Sequence, residues 1–540
     1  MDRRDFLRDT LAAGAATGLL PAAPAASTAR RRPGARPKLP QAPFELEEIT
    51  VAELEEGMAS GRWTARHIAE AYLGRIEAVD KAGPAINSVI ELNPEALAIA
   101  DRMDQERKAG KVRGPLHGVP VLVKDNLDTG DRMMTTAGSL ALAGSGAPRD
   151  STVVARLREA GAVLLGKTNL SEWANYRSTR STSGWSGRGG LTRNPYILDR
   201  NACGSSSGSG AAAAANLAAI TIGTETDGSV VCPSSICGLV GIKPTVGLVS
   251  RAGIIPISAT QDTAGPMCRT VADATAVLAA IQGYDPRDAA TAPMRGKRAP
   301  EWLASLNPGA LKGVRLGVAR KGFDLPSNVE PVLSEAIAAL RHLGAEIVDP
   351  AEVPNVAKLG DPETLVLDFE FKAGVAAYLA TRGANPPART LDDLIRFNAE
   401  HRDKEMPWFG QEIFERSTKR GPLTSPEYVK AHAACRRLSR TLGIDAVMAK
   451  HRLDAIVAIT AGASWPTDLV NGDRYTGGSS TPPAVAGYPH VTVPAGLVHE
   501  LPIGLSFFGR AWSEASLIRF AYAFERGTKA RRAPRFLPGV

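Results

Sequence analysis

Three stretches of this sequence hold side chains able to attack a carbonyl or move a proton. The first is "CGSSSGSGAAAAANLAAI", residues 203–220. Its serines and glycines have the composition of a flexible linker. Yet the run passes directly into alanines 211–215, then Leu217 and Ile220, residues suited to close packing. Gly204-Ser205-Ser206-Ser207-Gly208 also fits the G-x-S-x-G nucleophile elbow. That elbow needs a strand directly before it, and what precedes is "TRNPYILDRNA", turn material around Asn194-Pro195. It also needs a histidine and an acid downstream. His432, His451, His490 and His499 are available, none of them in a telling context. A phosphate loop fails too, because no Gly-Lys-Ser/Thr closes the glycine run.

The second stretch is "GTETDGSVVCPSS", residues 223–235, which follows an apolar strand predicted over 218–222. Gly228 and Ser229 fall in a tight turn. Successive backbone N–H groups of Thr226, Asp227, Gly228 and Ser229 would then point into one concavity, an oxyanion hole beside a serine hydroxyl. Taken alone, the same residues read equally well as a plain polar turn. The third is Lys124, which ends "VPVLV". A lysine half inside a core loses hydration, its pKa falls towards neutrality, and it can accept a proton. Taken alone, a strand-end lysine snorkelling to water is the commoner case. Together the three make acyl-transfer machinery without histidine. A neutral Lys124 takes a proton from a bridging serine, that serine takes one from the nucleophile, and backbone amides hold the developing charge.

The framework around these residues alternates. Strands are predicted in "INSVIEL" (86–92), "GVPVLVKDN" (118–126), "AVLLGK" (162–167), "LAAITIG" (217–223), "GVRLGVAR" (313–320), "AEIVDP" (345–350) and "LDAIVAIT" (453–460). Helices are predicted after the caps Thr50 and Thr64, after Asn93-Pro94, over 151–160 and over 330–343. Strands alternating with helices give an α/β fold with a parallel or mixed sheet. Residues 355–440 read as a helical cap or insertion on the same domain.

The 540 residues carry a formal charge of +8, but the first forty hold eight basic and three acidic residues, so the remainder is close to +3. No basic stripe with interleaved aromatics is present, which argues against nucleic-acid binding. In "MDRRDFLRDTLAAGAATGLLPAAPAAS" the pair Arg3-Arg4 precedes Phe6-Leu7, a short apolar run and small residues. This order resembles a twin-arginine export signal over residues 1–26, followed by a disordered basic segment over 27–43. A periplasmic or secreted location is expected, with no stable membrane insertion, since the apolar run is too short to span a bilayer. Five cysteines in a chain this long are no disulfide framework, and Cys232 and Cys237 lack a second pair at zinc spacing. Cys203, Cys232, Cys237, Cys268 and Cys435 read as small buried residues, although export would permit a disulfide.

"GPLHGVPVLVKDN", "CGSSSGSGAAAAANLA", "GTETDGSVVCPSSICGLVGIKPTVGLVS" and "SATQDTAGPMCRTVADAT" (258–275) resemble the amidase signature family, as does "AGYPHVTVPAGLVHELPIGLSFFGRAW" (486–512). The resemblance runs from about residue 45 to the end, apart from 355–440. It implies one large domain over 44–540, with a mixed multi-stranded sheet covered by helices on both faces. It implies an amide hydrolase with no metal and no cofactor. By motif position Ser229 would form the acyl-enzyme, Ser205 would bridge from a cis peptide, and Lys124 would be the base. Cys203 stands where the family usually has glycine, Asp227 where glycine or alanine is common, and Val231 where many members carry arginine. With "SEWANYRSTRSTSGWSGRGGLTRNPY" (171–196), these departures look most like the peptide amidase branch, which removes ammonia from C-terminal peptide amides. Trp173, Tyr176 and Trp185 would line the pocket. The alternatives are a broad-range amidase on small aliphatic or aromatic amides, a tRNA-dependent amidotransferase subunit, which the export signal opposes, and a non-catalytic binding protein on the same fold.

Overall fold

A computed structural model of the chain describes residues 44–297, 301–383 and 386–539. All of them belong to one compact unit. The export signal and basic segment expected over 1–43 lie outside the described residues.

The strands are β1 (Val89–Leu92), β2 (Pro120–Lys124), β3 (Val163–Thr168), β4 (Trp185–Ser186), β5 (Gly190–Leu191), β6 (Ile220–Glu225) and β7 (Val240–Lys243). There follow β8 (Thr263–Cys268), β9 (Arg315–Val318), β10 (Glu346–Val348), β11 (Ala455–Ile459), β12 (His490–Val498) and β13 (Leu501–Phe508). Eleven of them form one sheet in the order β1-β3-β2-β6-β8-β7-β12-β13-β11-β9-β10, while β4 and β5 pair by themselves. Pairing is parallel through β3-β2-β6 and through β11-β9-β10, and antiparallel between the other neighbours. The sheet is therefore mixed, and helices cover both faces. In β11, Ala455, Val457 and Ile459 enter one core, and Ile456 and Ala458 enter another. A strand buried on both faces loses its polar alternation, which is why "LDAIVAIT" reads as one apolar run.

The predicted caps hold. Thr50 accepts from Glu53 N and Thr64 from His67 N. The helix after Asn93-Pro94 starts later than predicted, at Ala96–Lys108, because the Asn93 side chain accepts from Glu95 N and forms a turn first. Residues 355–440 contain the helices Gly360–Leu379, Leu391–Glu400, Arg402–Glu405, Glu412–Thr418 and Pro426–Arg436. Phe371, Leu391 and Phe414 from this region form a separate core with Leu170, Trp173 and Ile257, so the region covers one end of the sheet. Among the described residues no helix is long and apolar enough to cross a membrane.

Two features of the fold converge on the serines. Strand β2 lies parallel beside β6, so Lys124 and Thr224 sit together at the carboxyl ends of adjacent strands, where open α/β sheets place their ligands. The short helix Ser207–Ala214 is wholly buried. It fits only because its residues are small: a Cβ on Gly208 would collide with the backbone carbonyl oxygens of Asn169 and Ser88.

Candidate active site

Lys124 is fully buried, and its Nζ donates to Ser205 Oγ at 2.8 Å, Thr224 Oγ1 at 2.9 Å and Ser206 Oγ at 3.0 Å. Burial lowers its pKa to about 7, against the opposing pull of the Asp262 and Glu225 carboxylates. Burial alone does not distinguish it. Lys167 and Lys243 are also fully buried, but they donate to the backbone oxygens of Leu127 and Tyr488 and to the Thr135 hydroxyl. Of these three buried lysines, only Lys124 touches a serine hydroxyl. Ser205 follows a cis peptide bond from Gly204. Its carbonyl accepts from Ser171 N at 3.0 Å, and Ser206 N donates to the Ser229 carbonyl at 3.3 Å, so the serine loop is tied to the second stretch.

Ser229 stands between β6 and the helix Val231–Ile236, on a strand–turn–helix corner. Glu225 shapes the corner: its Oε2 accepts from Val230 N at 2.9 Å and Val231 N at 3.0 Å. Asp262 accepts from Thr226 Oγ1 at 2.6 Å. Gly228 has φ +80°, a left-handed conformation that favours glycine. None of the backbone N–H groups of Thr226, Asp227, Gly228 and Ser229 donates to another described residue. All four residues line one cavity of about 340 Å³. Ser229 Oγ has no hydrogen-bond partner among the described residues, and the Ser205 and Ser229 hydroxyls are not bonded to each other. The side chain of Asp227 accepts from Thr481 Oγ1 at 2.6 Å, while its Oδ1 is buried and unpartnered. A second cavity of about 300 Å³ shares Ala174, Thr226 and Ile257 with the first and reaches Asn126, Thr224 and Asp262 behind Lys124.

The structure corrects two readings. Of the aromatics expected in the pocket, Tyr176 lines it, but Trp173 and Trp185 do not. Residues 173–175 adopt left-handed backbone, with φ of +49°, +54° and +68°. Trp173 packs edge-on against Phe414 at 5.5 Å, and Trp185 against Phe409 at 5.2 Å, so both are core. The other aromatics present are Trp465 and Tyr475, which come together with Asp473 from the segment "ASWPTDLVNGDRYTGGSST". Its glycine, proline and aspartate content between a strand and a helix was the available signal. Second, Cys203 and Cys232 are not simply small buried residues: they form a disulfide, and Cys237, Cys268 and Cys435 are free and buried. No histidine lines either cavity, in keeping with the sequence argument against a nucleophile elbow in the Ser/Gly loop. Among the described residues no cluster of His, Cys, Asp and Glu could hold a metal ion.

A family model described as amidase matches residues 67–518. A probable amidase of Arabidopsis thaliana is 41% identical over 508 residues, covering 92% of this chain and 93% of that protein. A glutamyl-tRNA(Gln) amidotransferase subunit from Chloroflexus aurantiacus is 35% identical, covering 90% of this chain and 98% of that one. Among solved structures, native peptide amidase from Stenotrophomonas maltophilia superposes with a TM-score of 0.88 at 50% identity, covering 92% of this chain and all of that one.

Proposed function

Since the chain belongs to the amidase signature family of amide hydrolases, we propose that it hydrolyses carboxamides through an acyl-enzyme on Ser229, with Ser205 as bridge and Lys124 as base, and that C-terminal peptide amides are its substrates. The observation that carries this reading is the 2.8 Å contact between a fully buried lysine amine and the Ser205 hydroxyl, next to a serine corner with four unengaged amides.

In this mechanism Ser229 Oγ attacks the amide carbonyl and its proton passes through Ser205 Oγ to Lys124 Nζ. With a pKa of about 7, close to half of the Lys124 amines are neutral and able to accept it at neutral pH. The negative oxygen of the tetrahedral intermediate is received by the amides of residues 226–229, which need no reorganisation to meet it. As the intermediate collapses, Ser205 protonates the departing ammonia and is itself re-protonated by Lys124. Water then attacks the ester on Ser229 through the same relay. Closure of the Ser205–Ser229 contact on substrate binding is the one adjustment the relay needs, and catalytic hydrogen bonds commonly tighten in the bound state.

Support for peptide amides comes from the likeness to the S. maltophilia enzyme over its whole chain and from a cavity of ligand size walled by Tyr176, Trp465 and Tyr475. The test is ammonia release from a short peptide amide, its free-acid peptide and benzamide, each with a Ser229→Ala control. Release from the peptide amide, absent in the control, is the expected result. Release mainly from benzamide would keep the mechanism and replace the substrate class with small aromatic amides.

A further inference from the structure

The disulfide joins residues 29 apart in sequence, with a Cα–Cα distance of 6.4 Å. Its placement is specific. Cys203 lies two residues before Ser205, and Cys232 lies three residues after Ser229. The bridge therefore ties the loop that carries the bridging serine to the corner that carries the nucleophile. Backbone contact between these two segments includes the single bond from Ser206 N to the Ser229 carbonyl, at 3.3 Å. On the corner side, Cys232 N donates to the Gly228 carbonyl at 2.7 Å, so the sulfur is anchored one turn from the amides that would hold the oxyanion.

Cys203 has φ +59°, in the left-handed region, which residues other than Gly, Asn and Asp seldom adopt. A glycine would relieve that backbone, and a glycine is what the family resemblance leads one to expect at this position. Cysteine here needs a compensating interaction, and the bond to Cys232 supplies it. Both cysteines also line the cavity onto which Ser229 opens, and each is only 4% exposed. The bridge also packs against Ile236, Ala461 and Trp465. A small molecule reaches the sulfurs by way of the substrate cavity. The neighbouring free thiol, Cys237, contacts the Ala202 carbonyl, and burial raises its pKa to about 12. It is therefore a poor attacker in disulfide exchange.

We propose, resting on the relay reading above, that the Cys203–Cys232 disulfide is a positioning brace for the Ser205–Ser229 relay and a thiol-sensitive wall of the substrate cavity. A small dithiol entering the cavity attacks one sulfur and forms a mixed disulfide. Its second thiol then displaces the protein sulfur, leaving two cysteine thiols and the cyclic oxidised reagent. The serine loop, freed from the corner, no longer holds Ser205 in register, and acylation of Ser229 slows. The brace suits an oxidising compartment, the kind expected from the N-terminal segment.

The test uses the full-length oxidised enzyme, dithiothreitol, and a fluorophosphonate that labels active serines. Thiol counts, labelling rate, peptide-amide turnover and circular dichroism are followed together. Expected are a rise from three to five thiols, with reduction under non-denaturing conditions and the count taken after quenching and denaturation, and a fall of at least tenfold in labelling and in kcat/KM, with unchanged circular dichroism. Enzyme already labelled at Ser229 should be reduced several-fold more slowly, because the label fills the cavity; a merely structural disulfide would show no such protection. The Cys203→Ala/Cys232→Ala variant should match the reduced enzyme and ignore dithiothreitol. Five thiols with labelling and turnover within twofold of the oxidised enzyme would overturn the brace. Three thiols persisting under dithiothreitol would overturn the thiol-sensitive wall. If the double variant does not fold, reduction of the wild-type enzyme decides. An oxidised enzyme that never labels at Ser229 would instead overturn the relay reading.

Discussion

Among single residues, Lys124 carries the sharpest expectations. An amine with a pKa of about 7 acts as a base only when deprotonated. The rate should therefore fall as pH drops through about 7 and level off above it. A pH profile of kcat/KM on a peptide amide checks this, and a flat profile from pH 5 to 9 would rule out a lysine base. Lys124→Met should lower kcat by about 10²–10⁴-fold, the usual share of general acid–base catalysis. The same substitution has a stability signature. In the folded protein the Lys124 pKa is depressed, so between about 7 and the ordinary lysine value the unfolded chain binds the extra proton. Wild-type stability therefore rises with pH in that window, by about 1.4 kcal/mol per pH unit from this one group. Urea titrations of wild type and Lys124→Met at pH 7, 8 and 9 isolate it, because the other groups titrate alike in both. Lys124→Met should hold its greatest stability advantage at pH 7 and lose it progressively towards pH 9.

Among the structural elements, the corner between β6 and the helix Val231–Ile236 does what neither flanking element does alone. Its four amides are left unpaired because Gly228 turns the chain with φ +80°. Gly228→Ala would force an L side chain into that conformation and bring its Cβ to 3.0 Å from Ser480 Oγ. The stability cost should be about 1–2 kcal/mol, while kcat should fall ten- to a hundred-fold as the amides tilt. Gly61 is the control: it has φ +77°, and a Cβ added there would meet nothing within 4 Å. Gly61→Ala should cost similar stability and leave kcat unchanged. Equal losses of kcat in the two variants would remove the special role assigned to the corner.

Across the whole molecule, the helical region 355–440 is fastened over the site by buried charge. Arg177 Nη1 donates to Glu172 Oε1 at 2.5 Å and to the Glu405 carbonyl at 2.6 Å, with all three side chains inaccessible to solvent. The Glu405 carboxylate in turn accepts from Leu140 N at 2.6 Å. Burial raises the pKa of both carboxyls, and Arg177 opposes the rise. Arg177→Ala would leave the Glu172–Glu405 carboxyl pair buried without its cation, a loss of about 3–5 kcal/mol. The deficit should be larger at pH 8 than at pH 5.5, because the stranded carboxyls can take up protons at the lower pH. Urea midpoints at the two pH values check this, and Glu405→Gln in the Arg177→Ala background should recover part of the loss.

Local pattern was enough to read the α/β alternation, the helix caps at Thr50 and Thr64, and the three stretches around Lys124, Ser205 and Ser229. Each is a property of neighbouring residues: an apolar run ending in one amine, a Ser/Gly loop before alanines, a Gly-Ser turn after an apolar strand. How these pieces meet came from the folded chain. Folding selected Lys124 from three buried lysines, because β2 pairs with β6 and no periodicity specifies strand neighbours. It paired Cys203 with Cys232 through a contact between two turns. It sent Trp173 and Trp185 into the core and brought Trp465 and Tyr475, nearly three hundred residues further along the chain, to the cavity wall instead. Hydrophobic pattern tells which face of an element is buried. What it is buried against depends on partners far away in sequence, and this site is built from such contacts.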